Sequence, residues 1–208
     1  MAPKLLAEFI GTFFLVLVFG LSGGNPLAIG GVLAAMIFMW AHVSGGNFNP
    51  AVSVGLSLRG AQPWKQTGAY VIAQLVGGIA AAAVFFAVIG RPMVVAPGEG
   101  VSYGVALLIE VLFTFALVSI VLNVATAKAT ANNQYFGLAI GLVLMAGIFA
   151  GGAISGGAFN PAVGLAPVLF NISTISSHGT ELALYSIGPV LGGILAALVY
   201  RVTKTDKK

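Results

Sequence analysis

The chain has 208 residues, of which 59% are apolar and only 7% charged, and its mean hydropathy is +1.05. A soluble domain carries roughly 25% charged residues, so this chain has too little charge to cover itself against water. Its formal net charge of +4 comes from basic residues that form no soluble basic surface, which argues against nucleic acid as a partner, and the absence of cysteine excludes disulfides and thiolate metal sites.

In chain order, six stretches read as apolar spans: about 4–22, 28–43, 66–90, 101–125, 134–152 and 180–202. A bilayer core about 30 Å thick needs about 20 apolar residues per helix. The ten-residue alternating strands of a membrane barrel are absent from the pattern. The first stretch is not read as a signal peptide, because Glu8 interrupts its apolar run and the same Glu recurs in the second half. The expected fold is an all-α membrane protein with six transmembrane helices.

Two further elements lie between the spans. "SGGNFNPAV" (44–52) and "SGGAFNPAV" (155–163) agree at eight of nine positions. Ser-Gly-Gly breaks a helix, whereas Asn is a favoured N-cap and Pro a favoured first helical residue. Helices are therefore expected to start at Asn49 and Asn160 and to run through "PAVSVGLSL" and "PAVGLAPVL". About ten residues rising 1.5 Å each give roughly 15 Å, half a bilayer. These are re-entrant half-helices, and broken backbone at that depth is tolerated only where it is packed in protein or lines a wet cavity.

The repeat extends beyond the nonapeptide. "EFIGTF" (8–13) answers "EVLFTF" (110–115), and "YVIAQLVGGIAAA" from Tyr70 answers "YSIGPVLGGILAA" from Tyr185. Each half holds three spans, an odd number, so the second half enters the membrane upside down. The inverted repeats cover about 4–90 and 101–203, joined through "GRPMVVAPGEG", within one transmembrane domain, 1–208. Lys4, Arg59, Lys65, Lys128, Arg201, Lys204, Lys207 and Lys208 fall on one face and Arg91 on the other. The positive-inside rule then places both termini in the cytoplasm, leaving the particular membrane unassigned. Three residues before Lys4 and seven after Arg201 leave little room for a regulatory tail.

With the two half-helices meeting N-terminus to N-terminus, their positive dipole ends repel cations and protons at the midplane. The Asn49 and Asn160 amides are placed to donate to a passing oxygen, and the carbonyls of Gly45, Gly46, Asn47, Gly156, Gly157 and Ala158 are available as a ladder of acceptors. The doubled Asn-Pro-Ala motif (Asn49, Pro50, Ala51 and Asn160, Pro161, Ala162), in this frame of paired Glu and Tyr/Gly-Gly helices, resembles the aquaporin, or major intrinsic protein, family across essentially the whole chain. The resemblance implies a homotetramer with one pore per subunit, no cofactor and no bound metal. It also implies that Glu8 and Glu110 accept hydrogen bonds from the re-entrant loops.

The family's selectivity ring carries over to Gly157 and Val163 by position in the nonapeptide, and to Ile29 and Ile148 by counting 20 residues back from Asn49 and 12 back from Asn160. The usual Arg after the second motif is here Val163. Water-selective members place Phe, His and Arg in the ring, and glycerol channels keep the Arg and carry Asp nearby. Val163 is instead similar to a group of tonoplast intrinsic proteins. An apolar ring predicts a passive channel for water and small neutral solutes such as glycerol, urea, ammonia and hydrogen peroxide, excluding protons and ions. A strictly water-selective pore and a proton-coupled carrier using Glu8 and Glu110 stand as alternatives, and no nucleophile–base constellation points to an enzyme. His42 is read as a packed histidine near the inner mouth, His178 as a solvated loop residue, and Asn171-Ile-Ser as a sequon on the outer loop.

Overall fold

The computed structural model describes residues 1–203 and leaves out the Thr174 side chain, so Lys204, Lys207 and Lys208 lie outside the described residues. Among the described residues the fold has eight α-helices: α1 (Ala2–Leu21), α2 (Pro26–Ser44), α3 (Pro50–Arg59), α4 (Trp64–Ile89), α5 (Tyr103–Thr126), α6 (Phe136–Ser155), α7 (Pro161–Phe170) and α8 (Gly179–Thr203). Six of them, α1, α2, α4, α5, α6 and α8, are long and apolar enough to cross a membrane. The ten-residue α3 and α7 are the half-helices.

Local chemistry sets the boundaries. Asn49 and Asn160 cap α3 and α7 with their Oδ1 atoms, accepting from the N–H of Ala51 and Ala162 at 2.9 Å each. A third Asn-Pro pair explains why α2 begins at Pro26, earlier than the apolar run itself. Asn25 Oδ1 accepts from Leu27 and Ala28 N–H at 3.0 and 3.2 Å. Gly45 (φ 98°) and Gly156 (φ 92°) end α2 and α6 in the left-handed region, where a side chain is disfavoured.

The packing follows the inverted repeat. α1 lies on α4 as α5 lies on α8, and α2 crosses α6 at the centre. Each half-helix packs on the last helix of the opposite half, α3 against α8 and α7 against α4. Glycines permit these crossings. A Cβ at Gly30 would strike the Gly141 carbonyl, and one at Gly141 the Gly30 carbonyl. In the Gly-Gly pairs, Gly77 faces the backbone of Phe9 and Gly192 that of Val111. Their neighbours Gly78 and Gly193 seat the Ala162 and Ala51 carbonyls of the opposite half-helix. Close backbone approach of this kind is how helices associate where apolar burial gives no advantage over lipid.

Candidate pore

Glu8 and Glu110 are fully buried and hold the two re-entrant loops. Glu8 Oε1 accepts from Ser44 Oγ at 2.7 Å and Asn47 N–H at 3.0 Å, and Oε2 from Phe48 N–H at 2.7 Å and Gln74 Nε2 at 2.8 Å. Glu110 repeats the pattern with Ser155 Oγ at 2.7 Å, Ala158 N–H at 3.1 Å and Phe159 N–H at 2.8 Å. Tyr70 and Tyr185 hydroxyls donate to the Ser44 and Ser155 carbonyls, both at 2.7 Å. A buried carboxylate is costly unless it accepts hydrogen bonds, and here Glu8 accepts four and Glu110 three.

Between each loop and its half-helix sits a phenylalanine in the left-handed region, Phe48 (φ 50°) and Phe159 (φ 46°). Such backbone costs roughly 1–3 kcal/mol unless its surroundings fix it. Both sides of each residue are fixed. The Phe48 and Phe159 N–H groups are held by the glutamates, and their carbonyls accept from the opposite asparagines. Asn49 Nδ2 donates to Phe159 O and Asn160 Nδ2 to Phe48 O, each at 2.9 Å. The sequence reading missed this cross-brace, although the Phe recurs in both nonapeptides.

The braced centre opens onto a narrow internal cavity of about 20 Å³, room for about one water. Asn49, Asn160, Gly46, Asn47, Gly157 and Ala158 line it, together with Ile29, Ile148 and Val163. All four positions assigned to the selectivity ring therefore face one space. Gly45 and Gly156 do not line this narrow part. They lie in wider pockets at its two ends, Gly45 toward the termini and Gly156 on the far side. The bore shares lining residues with both pockets: Ile37, Gly46, Val121 and Ile140 at the terminal side, Phe19 and Ile148 at the far side.

The bore is nearly the same read from either end. Under the repeat's shifts (102 positions from Glu8 to Glu110, 111 from Ser44 to Ser155), the lining residues fall into pairs. Leu15 answers Leu117, Ile29 answers Ile140, Leu33 answers Leu144, Ile37 answers Ile148, Gly46 answers Gly157, Asn49 answers Asn160 and Val52 answers Val163. Only two pairs differ, Phe19 with Val121 and Asn47 with Ala158.

Glu8 and Glu110 do not line this space. His42, read from sequence as packed, is exposed at the terminal-side mouth and has no hydrogen-bond partner among the described residues, because it sits on the last turn of α2 where the helix leaves its neighbours. His178 lies with Arg91 and Glu181 around a pocket on the opposite face. Asn171 Oδ1 accepts from the hydroxyl of its own sequon serine, Ser173, at 2.9 Å.

A six-span helical bundle with two half-helices meeting at paired asparagines defines a class of membrane channel, and the comparisons agree. The profile of the major intrinsic protein family matches residues 1–200. Aquaporin NIP1-1 of Zea mays is 31% identical, over 99% of this chain and 76% of its own length. Aquaporin AqpM of Methanothermobacter marburgensis is 33% identical, over 99% of each chain. The X-ray structure of the aquaglyceroporin from Plasmodium falciparum has the same fold, with a TM-score of 0.82 at 19% identity over 97% of this chain and 96% of that one. The chain belongs to the major intrinsic protein family, whose members are channels and not enzymes. The expected likeness to tonoplast proteins is not supported, since the plant relatives found are NIP-type. That expectation rested on Val163, and a single side chain carries less information than the whole alignment.

Proposed function

We propose that the chain is a passive channel for water and small neutral solutes, with Ile29, Ile148, Gly157 and Val163 as its selectivity ring. The observation that carries this is the pair Asn49 and Asn160 in a bore whose other walls are mostly apolar. Each amide spends one N–H on the opposite loop, which fixes its orientation, and the other N–H remains for a passing oxygen. A water that accepts from both amides is turned so that it cannot relay a proton through the centre. The two half-helix N-termini add positive potential at the same place, which excludes cations and protons.

The ring brings no charge and no fixed side-chain donor, so an apolar, neutral solute loses little in crossing it. Ammonia, urea, glycerol and hydrogen peroxide fit that description, and water alone is the narrower alternative. The carrier reading is disfavoured because both carboxylates are consumed by the loops and stand outside the bore. The channel acts as one domain with its inverted halves joined at about 90–100, assembles as a homotetramer with one pore per subunit, and has both termini in the cytoplasm. Lys4, Arg59, Lys65, Lys128 and Arg201 sit toward that side and Arg91 on the other, in support of the orientation.

Stopped-flow light scattering on proteoliposomes tests the reading, first with an impermeant osmolyte and then with glycerol and urea. Accelerated shrinkage followed by solute-driven reswelling is expected, with rates unchanged by an imposed pH gradient. Shrinkage without reswelling leaves the water-only alternative. No acceleration over empty liposomes defeats the channel reading.

A further inference from the structure

We infer that Phe19, on α1 and outside the four ring positions, sets the size selectivity of this channel. The inference rests on the channel reading and deepens it. The bore is a near-palindrome, so the ring Ile29, Ile148, Gly157, Val163 at one end has a copy at the other. No member of that ring makes one end more selective than the other, because each has a twin of the same residue type at the opposite end. Phe19 can: its counterpart is Val121, and it is the bulkier of the two by a whole aromatic ring.

Its position supports the assignment. Among the described residues only Phe19 and Ile148 line both the narrow bore and the far-side pocket, so they stand at the threshold between them. Phe19 is 7% exposed and lies one turn beyond Leu15, which also faces the bore. Gly157, which lines the same bore, adds no side chain to it, and its left-handed φ of 66° disfavours one. At the terminal-side threshold the equivalent position is held by the smaller Val121. At this pair of positions the far threshold is therefore the narrower gate. It offers carbon-backboned solutes such as glycerol an apolar aromatic wall and no hydrogen-bond partner in place of their hydration. Water, which needs less width, is discriminated far less.

The test exchanges the two residues and reads the ratio of glycerol to water permeability in proteoliposomes. Phe19→Val makes the far gate a copy of the near one and should raise the ratio about tenfold, the discrimination a hydrophobic pocket obtains from about one methylene group. The double variant Phe19→Val with Val121→Phe moves the narrow gate to the other end and should bring the ratio back toward that of the native chain. Phe19→Trp, which keeps a large apolar side chain at this position, should lower the ratio and serves if the valine variant does not reconstitute. An unchanged ratio in a Phe19→Val protein that still conducts water overturns the inference and leaves the channel reading intact. So does an unchanged ratio in a water-conducting Phe19→Trp protein, or a double variant no more selective than Phe19→Val. A native chain that fails to accelerate water flux overturns both.

Discussion

The two halves of this channel share a frame and differ in what fills it. In each, a buried glutamate holds two loop N–H groups and a serine, a tyrosine pins the end of the second helix, and an asparagine reaches across to the other loop. Beneath the first loop lies a polar network. Asn47 Nδ2 donates to Ser53 Oγ at 3.0 Å and Gln62 Oε1 at 2.9 Å, Gln62 Nε2 to Thr67 Oγ1 at 2.7 Å, and Gln74 Nε2 to Ser53 Oγ at 3.1 Å. The Ser57 and Thr67 hydroxyls close it. At the matching places the second half has Ala158 for Asn47, Gly164 for Ser53, Val168 for Ser57 and Pro189 for Gln74. The aromatic support is also exchanged. Phe48 packs on Gly11, whose Cβ position its ring fills, while Phe159 leans on Phe113 with ring centroids 5.4 Å apart. The lesson is that the loop geometry is specified by the glutamate and the cross-brace, and that either hydrogen bonds or close packing can back it.

The largest expected effects test whether the frame itself is symmetric. Glu8→Ala leaves the N–H groups of Asn47 and Phe48 without their acceptor, and Glu110→Ala does the same to Ala158 and Phe159. Each stranded buried N–H costs about 1–3 kcal/mol, so each variant should lose roughly 2–6 kcal/mol. Both should show strongly lowered thermal unfolding midpoints in detergent and loss of water conduction. The Glu8 loss should be the larger by about 1–3 kcal/mol, since it also strands the Gln74 Nε2 hydrogen that Glu8 accepts, the other hydrogen staying on Ser53. A loss confined to one half would break the comparison.

Much of this frame is legible in the sequence because the sequence writes it twice. The doubled nonapeptide locates both half-helices to within a residue, since Asn-Pro is a start signal with a local mechanism. Glu8 and Glu110 stand out because an ionised group within an apolar run needs a reason. What the sequence hides is pairing at long range. The bonds from Asn49 to Phe159 and from Asn160 to Phe48 join residues 110 and 112 positions apart, and no local pattern announces them. The recurring Phe inside both nonapeptides was the available clue. Phe19 is hidden for the opposite reason: it lies on α1, outside the four ring positions that the family resemblance marks, and no motif points to it. Its exposure to the bore appears only once the lining residues are known.

A middle-sized effect should separate the two ways of backing the loop. Gly164→Ser imports the serine of the first half into the second, where a Cβ would meet the Tyr185 ring. Overpacking of this kind costs about 1–3 kcal/mol and should disturb the bond from Tyr185 to the Ser155 carbonyl. The reverse exchange, Ser53→Gly, removes an acceptor used by both Asn47 and Gln74, strands one N–H of each and should cost about 2 kcal/mol or more. Unfolding midpoints of the two variants measured side by side give the order, and a Gly164→Ser protein as stable as the native chain would show that the second loop has slack the packing does not reveal.

The smallest effect belongs to Asn47→Ala, which gives the first loop the residue the second already carries at Ala158. The loop N–H at this position still reaches Glu8, because that bond is made by backbone. Ser53 Oγ keeps its bond from Gln74. Only Gln62 Oε1 is left without its donor, so the expected loss is about 1 kcal/mol, the net value of one neutral hydrogen bond. The carbonyls lining the bore stay in place and Asn49 remains braced by Phe159, so osmotic water permeability per channel should be unchanged while the unfolding midpoint drops slightly. A variant that kept its stability but lost conduction would assign the Asn47 side chain to the water path itself, at one of the only two places where the bore departs from its own mirror image.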